Sequence, residues 1–299
     1  MKTQPFIIIF DIDKTIIGNV GMLTKEYHLL EYIYNICKRK GVNTKCPFPE
    51  LFDMQEELKN GLLRPFAADF INYCNKKFKN AEVFFYTNSS YKWTNGALGE
   101  NIEKALRIKV NRPFFTREDS MYLNMKKKSL ANIYPTIIKS LLRRYPSLND
   151  EKIAEHTFNN RTIFVDDVKD NIFAYTNRQL VCPAYEYMPY YDVYEKCITK
   201  YKIDPLIFND KDILKYMGDN DMHIYNKNGN IYQKNKEYIA IANLYNLKRH
   251  EINKKEDKDT YYKELIAELS KKSVSNKCLT DKNIKAINKK IKIPIEEPE

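Results

Sequence analysis

Two carboxylates stand two residues apart, Asp11 and Asp13, directly after the apolar run Phe6 to Phe10 in FIIIFDIDKT. Side chains at i and i+2 of an extended segment point the same way, so the pair can converge on one ligand or metal. Two more acids, Asp166 and Asp167, close a second apolar run in RTIFVDD, with Asp170 and Asn171 following. Between these lie two groups suited to an anion. EVFFYT runs into Thr87-Asn88-Ser89-Ser90, whose hydroxyls and free N–H groups can form a cradle. Lys126-Lys127-Lys128 supplies positive charge. Each piece alone has a plain alternative: a strand ending in a polar turn, a helix N-cap, a solvated lysine patch. Carboxylates with no His or Cys beside them suit a hard cation such as Mg²⁺, held by few protein ligands and several waters.

Such groups act together only if the elements that carry them share one edge. The three apolar runs, short and rich in Ile, Val and Phe, read as buried parallel strands. In an open α/β sheet the ligand crevice lies at the carboxyl ends of the strands, and right-handed crossovers bring those ends to one rim. Helical stretches alternate with the strands. Lys25 to Lys40 has a stripe at Leu29, Leu30, Ile33, Tyr34 and Cys37, ended by Gly41. Further helices are expected over Glu50–Lys59, over Arg64–Lys79, over Tyr91–Leu106, over Pro135–Arg144 with its proline in the first turn, and over Asn171–Arg178. Pro113–Arg117 and Leu180–Cys182 read as short strands, Asp212–Met217 and Tyr238–Leu247 as helices.

The expected fold is therefore α/β, a Rossmann-like doubly wound parallel sheet over residues 1–187. A small helical insert at about 25–60 follows the first strand. Residues 188–299 form a mixed, mainly helical, Lys-rich extension, in which few apolar residues pin the last ~20 and leave them mobile.

Composition narrows the class. Of 299 residues, 43% are hydrophobic and 30% charged, as in an ordinary soluble globular chain. The formal net charge of +11 favours anionic partners, and a solvated Lys-rich surface looks the same. Six scattered cysteines without a CxxC pair, and four His without HxxxH, argue against zinc and fit a reducing compartment. No apolar stretch approaches the ~20 residues that span a bilayer, and the N-terminal run is too short for a signal peptide. The expected location is intracellular, cytoplasmic or nuclear, with no membrane partner.

Taken together, the four segments resemble the four motifs of the haloacid-dehalogenase-like (HAD) phosphatases. FDIDKT is similar to their hhhhDxDxT, FFYTNSS to hhhhT/S, the Lys126–Lys128 run to their lysine, and IFVDDVKDN to their acidic fourth motif. LLRPFAADFI, NRPFFTRED and KSL resemble the branch of RNA polymerase II C-terminal-domain phosphatases (NLI-interacting-factor-like), with KSL in place of KDL. The resemblance covers roughly residues 5 to 187. It implies catalytic parts for Asp11, Asp13, Thr87 and Lys128. Asp11 attacks phosphorus, already ionised at pH 7, and Asp13 serves as general acid and then base. Mg²⁺ is bound by Asp11, the main-chain carbonyl of Asp13, and Asp167. Thr87, Asn88 and Lys128 (or Lys127 in the other register) hold the phosphoryl group, while Thr15, Asp166 and Asn171 support. The implied substrate is a phosphorylated macromolecule: phosphoserine or phosphothreonine in a protein first, a nucleic acid end second. A binding module that keeps the fold without catalysis is the rival class, against which stand the intact acids of both motifs.

Overall fold

The structure, a computed structural model, describes residues 4–41, 51–120, 127–190, 193–220, 224–225, 233–234 and 236–291. Strand β1 (Phe6–Phe10) is buried throughout, as five consecutive apolar residues need both faces covered. It lies inside a four-stranded parallel sheet with β2 (Ala81–Phe85), β3 (Thr162–Asp166) and β4 (Gln179–Val181), in the order β2-β1-β3-β4. The register is level: Phe10 sits opposite Phe85 on one side and Val165 on the other. The residues that follow β1, β2 and β3 therefore leave the sheet at one height. Phe6, Ile8 and Phe10 join one buried cluster, while Ile7 and Ile9 join Phe84 and Phe164 in the other. With helices over both faces, the sheet is doubly wound, as expected.

After β1, α1 (Gly21–Lys40) ends at Gly41, whose left-handed φ of 70° lets its N–H return to the last carbonyls. The expected helix over Glu50–Lys59 is shorter: α2 (Gln55–Glu57) runs into a π-turn at Leu58–Leu62, and residues 42–50 lie outside those described. Helix α3 (Ala67–Phe78) starts three residues later than Arg64, because the Arg64 N–H is bound to Ile16 O at 3.0 Å and Phe66 is left-handed. Past β2, α4 (Tyr91–Trp93), a π-turn at Thr94–Leu98 and α5 (Gly99–Leu106) make one helical run over the expected span.

The next stretch departs from expectation four times. The strand over Pro113–Arg117 reduces to one bridge between Phe115 and Tyr86, since Pro113 has no N–H to extend it and α6 (Arg117–Ser120) begins at once. Helix α7 (Leu130–Leu141) starts five residues before Pro135, which lies inside it. Ser129 caps its N-terminus, and the buried stripe Leu130, Ile133, Ile137, Leu141 begins there. Helix α8 (Glu151–Asn160), capped by Asp150, has no counterpart among the sequence expectations. The helix expected over Asn171–Arg178 is a loop with a 3₁₀ turn at Thr176–Arg178. Its backbone is taken by a bridge between Ile172 and Lys128, and Asp170 and Tyr175 adopt positive φ.

The C-terminal extension holds α9 (Val193–Thr199), α10 (Lys211–Asp219), the short antiparallel pair β5 (Ile224–Tyr225) and β6 (Gln233–Lys234), α11 (Lys236–Glu256), α12 (Tyr261–Leu269) and α13 (Asp281–Lys290). Tyr262, Leu265, Leu269, Ile284 and Ile287 join the same buried cluster as Phe10 and Phe70. Of the last ~20 residues, 281–291 are described and carry buried apolar side chains, more than the sparse apolar content suggests. Thr280 and Asn283 form a capping box, and Ile284, Ile287 and Ile291 are buried. Residues 292–299 lie outside those described. Helix α13 also satisfies the edge of the sheet: Asn288 Oδ1 accepts from Val181 N at 3.1 Å, and Asn288 Nδ2 donates to Gln179 O at 2.9 Å. Among the described residues no helix is long and apolar enough to cross a membrane, and Cys37, Cys74, Cys182, Cys197 and Cys278 are free thiols.

Both Asn288 bonds go to backbone groups of buried residues, so removing the side chain leaves a donor and an acceptor without partners. Asn288→Ala is expected to lower unfolding free energy by about 2 kcal/mol, read by urea denaturation with an unchanged m-value.

Candidate active site

The end of β1 delivers Asp11. Its N–H still donates to Val165 O at 2.9 Å, which fixes the residue at the sheet edge beside Asp166. Lys128 Nζ lies 2.7 Å from Asp11 Oδ1 and 2.9 Å from Asp166 Oδ2, and the lysine side chain is 1% exposed. The contact to Asp11 is an ion pair outside hydrogen-bond angles, so the buried Asp11 Oδ1 has no aligned donor. Two backbone bonds aim Lys128: its N–H donates to Asn171 O at 2.9 Å, and its carbonyl accepts from Phe173 N at 2.8 Å. Asn171 Nδ2 donates to Asp166 Oδ2 at 2.9 Å, and Val168 N to Asp166 Oδ1 at 2.8 Å. Of the lysine run, Lys128 enters the cluster and Lys127 is exposed; Lys126 lies outside the described residues.

Asp13 and Thr15 follow in the loop. Ser89 Oγ donates to Asp13 Oδ2 at 3.3 Å. Thr87 is buried, and its Oγ1 accepts from Ser89 N at 3.1 Å. Asn88 does not join the cluster: its side chain is exposed, and its carbonyl accepts from Arg117 Nε at 2.8 Å. The Thr15 hydroxyl donates to Asp167 Oδ1 at 3.2 Å and accepts from Asp167 N at 3.0 Å, tying the first acidic loop to the last. Gly18 permits the loop to close under residues 185–187. A Cβ there would sit 2.3 Å from Tyr187 O, whose carbonyl accepts from Asn19 N at 2.7 Å.

The electrostatics are dominated by burial. Burial pushes Asp11 well above the ordinary carboxylate range; Lys128 opposes this, while Asp166 and Asp167 add to it. Burial likewise raises Asp13 to about 6, with the Ser89 hydrogen bond pulling the other way. Asp167 is raised by burial and by Asp166. Burial alone works to lower Lys128, but Asp11 and Asp166 outweigh it and hold the ammonium above its usual value.

Asp11, Asp166 and Asp167 each offer a carboxylate oxygen within 4.8 Å of the others. Three carboxylates against one ammonium leave negative charge uncompensated, with Lys128, among the described residues, the one cation beside both Asp11 and Asp166. Both Asp166 oxygens already accept hydrogen bonds. The donor set thus fits a hard divalent cation on Asp11 and Asp167, with Asp166 holding the lysine.

Several contributors escaped the sequence reading. Ser89 was visible only as part of TNSS. Tyr86 Oη accepts from Ser129 N at 3.0 Å and so seats the start of α7 behind Lys128. Arg64, legible in LLRPFAADFI as a helix start and as part of a family-like segment, reaches the carbonyl of Thr15. Nothing local marks Asp259 and Tyr262, near the far end of the chain, as belonging to the site.

No family model matches the chain, and no curated protein matches it. Among solved structures, the HAD domain of the effector protein Lem4 from Legionella pneumophila aligns at 14% identity and TM-score 0.28, covering 56% of this chain and 74% of that one. Fcp1, an essential RNA polymerase II CTD phosphatase, aligns at 14% identity and TM-score 0.32, covering 90% of this chain and 66% of that one. A variant of fission yeast Fcp1 bound to beryllium fluoride aligns at 14% and 0.29, covering 90% and 71%. At these TM-scores the likenesses carry no weight of their own. The resemblance to HAD-like phosphatases rests on the four motifs and on where the fold puts them.

Because folding raises the Asp13 carboxyl from 3.8 to about 6, the folded state prefers its proton. That preference supports folding fully below the unfolded value and is lost as pH climbs through about 6. In EDTA, stability is expected to fall between pH 4 and 7 by up to about 3 kcal/mol. Asp13→Asn should lessen that fall and leave the part contributed by the raised carboxyls of Asp11 and Asp167, and thermal melts at pH 4.5 and 7.5 check it. Mg²⁺ should raise the wild-type Tm at pH 7.5 and leave Asp167→Asn unmoved.

Proposed function

We propose that this chain is a Mg²⁺-dependent phosphomonoester hydrolase working through an aspartyl-phosphate. The observation that carries the reading is Lys128 Nζ held between Asp11 Oδ1 and Asp166 Oδ2, at 2.7 and 2.9 Å, on the carboxyl edge of the sheet. A carboxylate beside a buried ammonium has what an attack on a phosphoryl group needs: a nucleophile with a counter-charge for the incoming oxygens.

Asp11 attacks phosphorus, forming an acyl phosphate bond as the bond to the leaving oxygen breaks. Asp13 gives that oxygen its proton, then takes one from the water that cleaves the intermediate and returns Asp11 and inorganic phosphate. A carboxyl lifted to about 6 suits both duties near neutral pH. Thr87, with Ser89 behind it, and the N–H groups of that turn hold phosphoryl oxygens, while Lys128 balances their charge. Asn88 is left with a backbone part in this cradle. Asp11, Asp167 and the main-chain carbonyl of Asp13 would bind Mg²⁺. The ion would mask repulsion between acids and phosphate, keep Asp11 ionised and stabilise developing charge.

The substrate we infer is phosphoserine or phosphothreonine in a polypeptide. Helix α1 of the insert buries Leu23, Leu29, Leu30 and Ile33 in the core, so it is not a free lid. Tyr91, Val168 and Phe173 stand exposed on the segments that follow Ser90, Asp167 and Asn171. Exposed apolar side chains next in sequence to site residues suit peptide side chains better than a phosphate backbone. The +11 charge favours nucleic acid ends as the second reading. Against it, Lys271 and Lys290 of the basic C-terminal segment are already paired with Glu268.

With Mg²⁺, the full-length chain should release phosphate from p-nitrophenyl phosphate, and Asp11→Asn should lower kcat by at least about 10³-fold. Phosphopeptides should exceed 3′- and 5′-phosphorylated oligonucleotides in kcat/KM. A preference for oligonucleotides reverses the substrate reading, and no turnover on any phosphoester overturns the activity.

A further inference from the structure

The loop carrying Asp11, Asp13 and Thr15 is held from below by the far end of the chain. The carbonyl of Thr15 accepts two buried donors, Arg64 Nη1 at 3.2 Å and Tyr262 Oη at 3.1 Å. Arg64 is itself gripped by Asp259 through both arms of its fork: Nε to Oδ1 at 3.1 Å and Nη2 to Oδ2 at 2.8 Å. Its guanidinium sits 4.8–5.6 Å from the ring centres of Tyr185, Tyr261 and Tyr262, and its side chain is 0% exposed. A buried guanidinium is stable only when its charge and donors are met, and a bidentate carboxylate with aromatic faces meets them. A third donor, on Nη1, goes to one carbonyl of the acidic loop.

Thr15 thereby works at both ends. Its backbone is fixed by Arg64 and Tyr262, and its hydroxyl fixes Asp167. A shift of this one residue displaces Asp13 on one side and Asp167 on the other. We propose that Arg64, Asp259 and Tyr262 are positioning residues for the Asp11–Thr15 loop, which makes helix α12 a working part of the active site. The proposal rests on the phosphatase reading and deepens it. None of the three touches a reacting atom; they act through Thr15. Sub-ångström placement of a nucleophile and its acid governs rate far more than it governs substrate binding.

Tyr262→Phe deletes one hydroxyl and keeps the ring packed between Phe10 and Phe70. In the full-length chain with Mg²⁺ and p-nitrophenyl phosphate, it is expected to lower kcat about tenfold with KM within about twofold. Amide hydrogen exchange over Ile12–Ile17 should rise in the same variant without substrate or metal. Arg64→Lys keeps the charge and loses the fork, and should cost about 100-fold in kcat. Leu269→Ala on the same helix is the control: it should lower Tm at least as much as Tyr262→Phe while kcat and loop exchange stay at wild type. Wild-type kcat and exchange in Tyr262→Phe, or an equal loss of kcat in Leu269→Ala, overturns the proposal. An inactive wild-type chain overturns the phosphatase reading instead, and the exchange comparison then decides by itself whether Tyr262 orders the loop.

Discussion

One ammonium shared by two buried carboxylates, with a third acid beside them, is the constraint around which this molecule is arranged. Lys128 between Asp11 and Asp166 satisfies part of the charge and leaves the rest in excess. Buried ions persist only where geometry and hydrogen bonds are both right. Much of the neighbouring structure supplies them. The level register of β1 and β3 puts Asp11 and Asp166 side by side. Residues 171–173 give up helical structure to pair with the Lys128 backbone, and Asn171 and Val168 fill the oxygens of Asp166. The excess negative charge that remains is of the kind a hard divalent cation meets.

The scaffold reaches further than the sheet. The acidic loop after β1 is bordered by residues 62–64, whose backbone bonds to Ile16 and Gly18, and by residues 185–187, whose backbone bonds to Lys14 and Asn19. From below it meets Arg64 and Tyr262. Segments from before β2, after β4 and within α12 thus converge on about eight residues. Rigidity of that kind suits a site in which two carboxylates must keep different protonation behaviour a few ångströms apart.

Legibility in the sequence followed the range of the interactions. FIIIF, EVFFY and TIFVD were readable as strands because a buried parallel strand writes itself as an unbroken apolar run. Gly41 was readable as a helix stop because its left-handed φ is a local property. The failures share the opposite cause. Asn171 to Arg178 has helical composition, but its backbone is claimed by Lys128, more than forty residues earlier. Pro135 fits a first helical turn and so points to a late start for α7, whereas Ser129 and the stripe from Leu130 set it. The tail was expected to be mobile because its apolar residues are sparse, yet Ile284, Ile287 and Ile291 find a ready-made surface beside β4.

What the sequence by itself determined was the chemistry on offer: acids after two strands, hydroxyls after another and lysines nearby, in an order that resembles HAD-like phosphatases. Residue type and strand-ending position carry that information without reference to distant partners. Only the tertiary structure decided that Lys128 and not Lys127 enters the site, and that Ser89 and not the side chain of Asn88 meets Asp13. It alone brought Asp259 and Tyr262 under Thr15. The reason is physical: which of several similar groups is buried beside a charge depends on backbone pairing across the fold, and no local pattern encodes a partner some two hundred residues away.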